Sequence, residues 1–487
     1  MKNLPQTLYS AAQARELDRI AIEVFGIPGY QLMCRAGGAM FDCMVEKWPE
    51  ARSLVVFCGS GNNAGDGYVI ARLAQAAGIR TQVISVGEPE KLKGDALTAF
   101  QDYRQAGGTI THFQEGKAID ADLLVDALLG TGLDRPVAGI YADSIRVINQ
   151  AQIPVISADI PSGLNADTGH VMGSAVKADC TVTFIGLKQG LFTGQAADYV
   201  GEIVYDALAV PDEVFGSVKS SVFRVLQKPM MPRRRCAHKG NMGHVLIIGG
   251  DLGYSGAARM AGEAALRVGT GLVSIATRSE HAGLMNLNRP ELMCRGVESD
   301  ADLAPLLDKT DVLVLGPGLG QGAWGKEMFN AVLKSDKPIV LDADGLNLLA
   351  ESPMNKTHCI LTPHPGEAAR LLRTSSQALQ QDRFAAVEAI RATYGSVVVL
   401  KGAGSLIASD SRIAVSITGN PGMASGGMGD VLSGVIAGLL AQGLDLHDAA
   451  EQGVFLHGRA ADLAAAKDGE RGLLATDLLP FLRQLVN

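Results

Sequence analysis

A glycine-rich loop with one carboxylate is the strongest chemical signal in this sequence of 487 residues. Residues 420–434 read Asn-Pro-Gly-Met-Ala-Ser-Gly-Gly-Met-Gly-Asp-Val-Leu-Ser-Gly, and apolar residues recur at helical spacing directly after Asp430. Glycine lets the backbone approach a ligand closely, and the free N–H groups of a helix N-terminus attract an anion. The pattern predicts a phosphate-binding loop that leads into a helix. Asp430 would lie beside the phosphate and act on a substrate hydroxyl.

Four other predicted strand ends in the C-terminal half of the sequence carry small, basic or acidic residues. They are residues 316–320 (Gly-Pro-Gly-Leu-Gly), 342–347 (Asp-Ala-Asp-Gly-Leu-Asn), 362–367 (Thr-Pro-His-Pro-Gly-Glu) and 401–405 (Lys-Gly-Ala-Gly-Ser). In parallel α/β sheets ligands bind outside the carboxyl ends of the strands, so we expect these loops to converge on the Asp430 loop. Taken alone, each loop is also compatible with a simple turn, and His364 fits a structural role as well as ligand contact.

Short apolar, β-branched runs alternate with longer amphipathic stretches along the sequence. Strands are predicted at residues 54–58, 81–86, 123–125, 154–157 and 181–185, and again at 244–248, 273–276, 312–315, 338–341, 358–361 and 397–400. Helices are predicted at 431–442, 446–466 and 476–485. The alternation is typical of parallel sheets covered on both faces. We therefore predict an α/β protein with two three-layer α/β/α domains, residues 1–215 and 239–487, joined by a proline-containing linker at 216–238.

Composition excludes several classes of protein. A net charge of −8 and a pI near 5.7 argue against a nucleic-acid-binding surface. Seven scattered cysteines without a Cys-x-x-Cys pair indicate neither a disulfide framework nor a zinc site. Charged residues near the start exclude a secretory segment, and no apolar run reaches the roughly 18 residues of a membrane span. We expect a cytoplasmic protein with small-molecule partners, no nucleic acid and no membrane.

From His238 to Asp477 the sequence resembles the ribokinase-like superfamily and, more narrowly, the nicotinamide-nucleotide hydrate dehydratases. The resemblance starts at His238-Lys-Gly-Asn-Met-Gly-His-Val-Leu-Ile-Ile-Gly-Gly250 and ends at Gly472-Leu-Leu-Ala-Thr-Asp477. It implies that ADP is bound by Lys401, Gly402, Ala403, Gly404, Ser405 and Gly429, with Mg²⁺ bridging the phosphates. It also implies that the hydrated nicotinamide ring is bound by Ala258, Gly318, His364 and Asp430.

A second polar loop follows the predicted strand at residues 54–58. Residues 59–67 read Gly-Ser-Gly-Asn-Asn-Ala-Gly-Asp-Gly and precede apolar residues at helical spacing, so we predict a glycine turn followed by a helix. The spacing differs from the dinucleotide-binding Gly-x-Gly-x-x-Gly motif. Two later strand ends add Asp126 and residues 130–132 in one loop and Asp159 and Ser162 in another. Such acidic strand ends can also serve as helix caps.

Together these loops resemble the NAD(P)H-hydrate epimerases over residues 10–215. The resemblance implies a Rossmann-like domain that binds the hydrated dinucleotide through Asn62, Asn63, Ala64, Gly65, Asp66, Gly130, Thr131, Gly132, Leu133, Asp134, Arg135, Pro136 and Asp159. It implies a potassium ion held by Asn63, Asp126 and Ser162. Asp159 is our candidate for proton transfer. Lys188 is a weaker candidate, since a solvated lysine at a strand end would look the same in the sequence.

Ala64 departs from the epimerase pattern, which usually has a second glycine at this position. If the backbone of Ala64 had a positive φ, its side chain would cost roughly 1–2 kcal/mol and would alter the turn. The sequence leaves open whether Ala64 weakens the epimerase.

The two resemblances together predict a bifunctional repair enzyme for damaged nicotinamide cofactors. One domain would interconvert the R and S hydrates of NADH or NADPH, and the other would dehydrate the S form with ADP. The enzyme alternative is a small-molecule kinase of the hydroxymethylpyrimidine or thiazole type. A further alternative is a sensor whose first domain binds a dinucleotide without turnover. The sequence leaves the choice between ADP and ATP and between the two dinucleotides open, and the family favours a homo-oligomer.

Overall fold

The computed structural model describes residues 4–487 and divides the chain into two compact units, one ending at Val222 and the other beginning at Phe223. The division falls inside the segment predicted as a linker, which contains the strand β9 (Val222–Arg224) and only the last two residues of the short helix α6 (Asp212–Ser217). No helix of the described residues is both long and apolar enough to cross a membrane.

The first unit is built on a parallel sheet of seven strands. In chain order its strands are β2 (Ser53–Cys58), β3 (Arg80–Ser85), β4 (Thr109–His112), β5 (Leu123–Ala127), β6 (Val155–Ala158), β7 (Cys180–Phe184) and β8 (Glu202–Asp206), after a short β1 (Thr7–Leu8). The order across the sheet is β4-β3-β2-β5-β6-β7-β8, and all neighbours are parallel. This is the doubly wound order of Rossmann-like folds, and the direction of winding reverses between β2 and β5.

Helices cover both faces of this sheet. They are α1 (Ala11–Glu23), α2 (Gly29–Lys47), α3 (Asn62–Ala76), α4 (Gly94–Gln105) and α5 (Gly139–Gln150). The helices α2, α3 and α4 pack with one face of the central strands, and α5 packs with the other. Because β2 and β5 are buried along their whole length, most of their side chains are apolar on both faces; the exceptions are Ser53 and Asp126.

The second unit contains a larger mixed sheet. Its strands are β10 (His244–Ile248), β11 (Leu272–Thr277), β12 (Leu292–Gly296), β13 (Val312–Leu315), β14 (Ile339–Leu341), β15 (Cys359–Leu361), β16 (Val397–Leu400), β17 (Ser405–Ala408) and β18 (Ile413–Ser416). They follow the order β18-β17-β16-β15-β14-β13-β10-β11-β12, with β17 antiparallel to both of its neighbours and the other pairs parallel.

The helices of the second unit form the outer layers. They are α7 (Ser255–Arg267), α8 (Ser279–Ala282), α9 (Asp300–Lys309), α10 (Ala323–Leu333), α11 (Ala343–Glu351), α12 (Pro365–Leu371), α13 (Ser376–Gln381), α14 (Arg383–Tyr394), α15 (Met428–Ala441), α16 (Leu446–Asp468) and α17 (Leu478–Leu485). The main apolar core lies between one face of the sheet and α7, α15, α16 and α17. The fold class predicted from the sequence, α/β with parallel sheets, is confirmed.

Several element boundaries differ from the sequence predictions. The helix α3 begins at Asn62, so the polar residues 62–66 form its first turns rather than a glycine turn ahead of it. The helix α15 begins at Met428, which places Asp430 inside the first turn instead of before it. The strands β4, β8 and β12 were not predicted, because their side chains are partly exposed and lack a continuous apolar run.

The close contact between α7 and α15 yields a stability prediction. A Cβ atom added at Gly434 of α15 would lie 2.0 Å from the backbone oxygen of Ala261, so the two helices would have to separate. We expect Gly434→Ala to lower the free energy of unfolding by about 1–3 kcal/mol, measured by calorimetry. Gly256→Ala on α7 is the matched control, because a Cβ there meets no atom within 4 Å and should not destabilise. Equal stability of both variants would contradict the packing argument.

Candidate active site

The first unit has a cavity of about 600 Å³ where the direction of winding reverses, at the carboxyl ends of β2 and β5. Of the predicted dinucleotide-binding residues, it is lined by Asn62, Asn63, Asp66, Gly130, Thr131, Gly132, Leu133, Asp134, Arg135 and Asp159. Ala64, Gly65 and Pro136 do not line it. Ligands of doubly wound folds bind in this crevice, so the structure brings most of the predicted residues to one plausible binding site.

Asp159 is held in an unusual backbone conformation at the end of β6. Its φ is 63°, a left-handed value that Asp tolerates better than most residues. Its carboxylate forms an ion pair with Lys188, whose ammonium group also donates to the backbone oxygen of Phe184 at 3.0 Å. The Oγ1 of Thr183 donates to the same carboxylate at 3.2 Å. Lys188 is only 3% exposed, so it is a buried partner of Asp159 and not a solvated lysine.

The predicted potassium ligands lie together beneath the cavity. Asp126 is fully buried and accepts hydrogen bonds from the backbone N–H and the hydroxyl of Ser162, at 2.8 and 2.5 Å. The amide nitrogen of Asn63 donates to the backbone oxygen of Leu129 at 3.2 Å, and the Ser162 hydroxyl lies 3.1 Å from the same oxygen. Burial raises the pKa of Asp126, although its hydrogen bonds act in the opposite direction. The side chains of Asn63, Asp126 and Ser162 each have an oxygen atom that could bind a cation, and oxygen ligands suit a hard cation.

The backbone of Ala64 is not strained. Ala64 is the third residue of α3, its φ is not positive, and its side chain is fully buried in the apolar core. The condition for a costly turn, a positive φ at Ala64, is therefore not met. The reason is that α3 begins at Asn62, two residues before Ala64, so that Ala64 has helical geometry, in which alanine is the preferred residue.

A buried ion pair lies at the centre of the second unit's site. The ammonium group of Lys401, at the end of β16, lies 2.8 Å from the carboxylate of Asp342, at the end of β14. Ser433 of α15 donates to the other oxygen of Asp342 at 2.7 Å. Burial alone would raise the pKa of Asp342, but Lys401 and the hydrogen bonds hold it below its usual value. A Cβ at Gly429 would lie 3.1 Å from the Lys401 nitrogen, so only glycine leaves this approach open.

Asp430 lies in the first turn of α15, next to this ion pair. Burial is the main cause that raises the pKa of Asp430 to about 7, and the negative charge of Asp342 raises it further against the opposing effect of Lys401. The helix begins after Gly427, which has a left-handed φ of 90°. A carboxylate with a pKa near neutrality can accept and release a proton under physiological conditions. The geometry thus supports the predicted role of Asp430 in proton transfer.

His364 and Glu367 form the adjoining wall. His364 caps α12: its Nδ1 accepts from the backbone N–H of Gly366 at 2.9 Å, while its Nε2 lies 3.4 Å from Glu367. Burial, together with Lys401, lowers the pKa of His364. Glu367 lies 3.9 Å from Lys401, and burial raises its pKa. His364 therefore has a structural capping role, and its half-exposed ring is also open to a ligand.

The remaining predicted residues occupy neighbouring strand ends. The turn at residues 401–405 has left-handed φ values at Gly402 and Gly404, and the Ser405 hydroxyl donates to the backbone oxygen of Gly402 at 3.0 Å. Gly318 follows β13 with a φ of 61°. Ala258 in α7 is fully buried, so its methyl group is not on an open wall of the site.

Arg383 was not predicted from the sequence, and it contacts the backbone at the start of the turn at residues 401–405. This arginine of α14 is 1% exposed, and its guanidinium group donates to the backbone oxygens of Leu400 and Lys401 at 3.2 and 3.3 Å. The preceding Asp382, which caps α14, is a recognisable signal, but it marks only the start of the helix. Asp342 belongs to one of the predicted strand-end loops, yet its pairing with Lys401 was not predicted, because it joins the ends of β14 and β16 on either side of β15.

Two family models match the chain. One, described as NAD(P)H-hydrate dehydratase, matches residues 245–483, and the other, described as YjeF-related protein N-terminus, matches residues 29–190. A bifunctional NAD(P)H-hydrate repair enzyme from Coxiella burnetii is 51% identical over 485 residues, which are 99% of each chain. This chain belongs to the bifunctional NAD(P)H-hydrate repair enzymes. An Escherichia coli member of the family is 44% identical and covers 100% of this chain and 95% of its own.

The solved structures agree with this family. A ribokinase-like superfamily protein from Enterococcus faecalis is 30% identical and aligns with a TM-score of 0.50, covering 53% of this chain and 91% of its own. The ribokinase-like prediction for the second half of this repair enzyme is therefore confirmed.

The helical geometry of Ala64 in this repair enzyme leads to a second prediction. Ala64→Gly removes a buried methyl group and adds backbone freedom inside α3, so we expect it to lower the free energy of unfolding by about 1–2 kcal/mol. Ala76→Gly is the control, because Ala76 is exposed at the last position of the same helix and should cost less. Calorimetry of both variants makes the comparison. A stabilised Ala64→Gly variant would show that the turn is strained after all.

Proposed function

We propose that the first unit interconverts the R and S forms of NADH or NADPH hydrate and that the second unit dehydrates the S form with ADP. The single observation that carries the proposal is Asp430, whose carboxylate lies in the first turn of α15 beside Lys401 and has a pKa near neutrality. Both reactions act on the hydroxyl at carbon 6 of the hydrated ring, next to the ring nitrogen. The overall dehydration converts hydrate and ADP to NADH or NADPH, AMP and phosphate.

Asp430 removes the proton of the carbon 6 hydroxyl in the dehydration. The resulting oxygen attacks the terminal phosphoryl group of ADP, and AMP leaves. The N–H groups at the start of α15 and the Lys401 ammonium group stabilise the negative charge that develops on the phosphoryl oxygens. Lys401 is suited to this role, because Asp342 and Glu367 outweigh the effect of burial and raise its pKa.

Phosphate then leaves from carbon 6, because it is a better leaving group than hydroxide. The ring nitrogen donates its lone pair as the carbon–oxygen bond breaks, and loss of the proton from carbon 5 restores the double bond of the dihydronicotinamide. Atoms and charges balance, since the oxygen of the hydrate departs in the phosphate. The nucleotide therefore serves to create a leaving group.

The second site also suits Mg²⁺. The carboxylates of Asp342 and Glu367 lie 2.8 and 3.9 Å from the ammonium group of Lys401. Burial is the main cause that raises the pKa values of Glu367 and Asp430, and the negative charge of Asp342 adds to both shifts. Among the described residues no three His, Cys, Asp or Glu side chains converge as a complete metal cage. Mg²⁺ commonly uses one or two carboxylates together with substrate phosphates, and bound in this way it would neutralise phosphate charge.

In the first unit Asp159 transfers a proton during inversion at carbon 6. Asn63, Asp126 and Ser162 would hold K⁺, whose charge would offset the burial of Asp126 and fix the loop around Leu129. Because Ala64 has unstrained helical geometry, we expect it not to weaken the epimerase. All seven cysteines are free, which supports a reducing, cytoplasmic location.

Two variants separate the activities. With mixed NADH hydrates and excess ADP, the unmodified protein should convert both epimers, measured by the absorbance of restored NADH. Asp430→Asn should abolish NADH formation while ADP binding, measured by calorimetric titration, persists, because the amide cannot accept the proton. Asp159→Asn should convert only the S epimer and then stop, apart from slow spontaneous epimerisation.

Two results would contradict these roles. Near-normal NADH formation by Asp430→Asn would refute the base role. Complete and rapid conversion by Asp159→Asn would refute the proton-transfer role in the first unit.

The dehydration rate should depend on the ionisation of Asp430. A base must be deprotonated, so kcat/KM for the S hydrate, measured with saturating ADP, should decline as the pH falls through about 7, the raised pKa of Asp430. An unshifted aspartate would lose activity only about three pH units lower. A profile that stays flat down to the ordinary aspartate range would contradict this assignment.

A further inference from the structure

Helix α1 places a carboxylate in the same cavity as Asp159 and Lys188. Asp18 lines the cavity of the first unit, together with Arg15 and Ile22 of the same helix. Spacings of three and four residues put these side chains on one face of α1. The family model of the first unit begins at residue 29, so α1 lies outside the matched segment.

The helix is fixed in this position by packing and hydrogen bonds. Ser10 caps α1, and the buried residues Ala14 and Leu17 face the backbone at Gly186, where an added Cβ would approach both within 3.1 Å. The Arg15 guanidinium group donates to the backbone oxygen of Thr131 at 3.2 Å, which joins α1 to the predicted dinucleotide-binding loop. Asp18 is thus held at the cavity by the fold.

The charges around Asp18 couple it to the Asp159 and Lys188 pair. Asp18 lines the cavity and is exposed to solvent. Partial desolvation by the surrounding protein is the main cause that raises the pKa of Asp18 to about 6; Lys188 acts against this shift and Asp159 adds to it. The charged groups facing the cavity are Arg15, Arg135, Lys188, Asp66, Asp95, Asp134 and Asp159. Asp66 is half-buried, and desolvation is the main cause that raises its pKa well above the usual range.

We propose that Asp18 is the second proton-transfer group of the epimerisation and acts together with Asp159. This inference rests on the proposed function of the first unit. Inversion at carbon 6 needs an acid where the hydroxyl leaves and a base where water returns. Asp18 and Asp159 come from different elements, α1 and the end of β6, and line one cavity that contains the predicted dinucleotide-binding residues.

Because water leaves one face of carbon 6 and adds to the other, a proton-transfer group on each face suits the inversion. The protonated carboxyl group of one aspartate donates to the hydroxyl as the carbon–oxygen bond breaks, and the ring nitrogen lone pair forms a carbon–nitrogen double bond, giving a cation and water. Water then adds to the other face of carbon 6, and the ionised second aspartate accepts its proton. One proton has moved from the first aspartate to the second, and it returns through solvent or in the reverse reaction, in which the two groups exchange roles.

Asp18→Asn tests this role. In the full chain, with purified R-NADH hydrate and excess second-unit activity, we expect the kcat for epimerisation to fall on the order of 10²–10⁴-fold, with KM within about threefold of the unmodified value. Asp18→Glu should recover part of the rate, and the ionisation near pH 6 should disappear from the pH profile of Asp18→Asn. Glu23→Gln is the matched control on α1, because Glu23 is exposed and pairs with Arg19 on the surface.

The outcomes distinguish the two proposals. If Asp18→Asn keeps its kcat, or loses only substrate affinity with an unchanged pH profile, the role of Asp18 is overturned. If Asp159→Asn also epimerises normally, the proposed function of the first unit fails as well. Dehydration of purified S hydrate and the unfolding temperature should be unchanged in Asp18→Asn. A loss of rate accompanied by unfolding, without recovery in Asp18→Glu, would count against the proposal.

Discussion

The buried ion pair between Lys401 and Asp342 is the interaction on which the second site depends. It joins the ends of β16 and β14, and Ser433 attaches α15 to the same carboxylate, so the helix that carries Asp430 is positioned by it. Removing one partner of a buried pair leaves an uncompensated charge and typically costs about 3–5 kcal/mol. The pair also sets the local field: Asp342 raises the pKa of Asp430 and Lys401 lowers it. The same ion pair therefore positions Asp430 and influences its pKa.

The first site depends instead on a buried lysine, Lys188, and on the left-handed backbone of Asp159. A left-handed φ at a residue other than glycine costs roughly 1–2 kcal/mol, and it persists at Asp159 because the flanking backbone is fixed, with the Asp159 N–H donating to Val182 at 2.7 Å. Strain of this kind is concentrated at functional sites, where the surrounding structure maintains it. Here it directs the carboxylate towards Lys188, whose burial excludes water from the pair.

The central strands were predicted well because nearly every residue in them is buried, and burial favours apolar side chains throughout the strand. Strands such as β10, β13 and β16 are buried along nearly their whole length, which requires continuous apolar runs, and their predicted bounds match the structure. The strands β4 and β12 are edge strands with mixed exposure, so their sequences carry little periodic signal. The residue types in the loops were sufficient to predict which loops could bind a ligand. The partners of Lys401 and the buried contacts of Arg383, however, come from elements that are far apart in the sequence. Such pairings require the three-dimensional structure.

The two proposed reactions explain why only one of these sites needs a nucleotide. Epimerisation removes a hydroxyl and restores it at the same carbon, so the energies of substrate and product are similar and paired proton-transfer groups suffice. Dehydration must remove the oxygen permanently. A carboxylate alone can accept the hydroxyl proton, but it cannot turn hydroxide into a good leaving group. The ammonium group of Lys401, the helix N-terminus and the glycine backbone at Gly429 provide what a phosphoryl group requires, positive charge and close access. The additional electrostatic machinery of the second unit therefore follows from the bond that has to be broken.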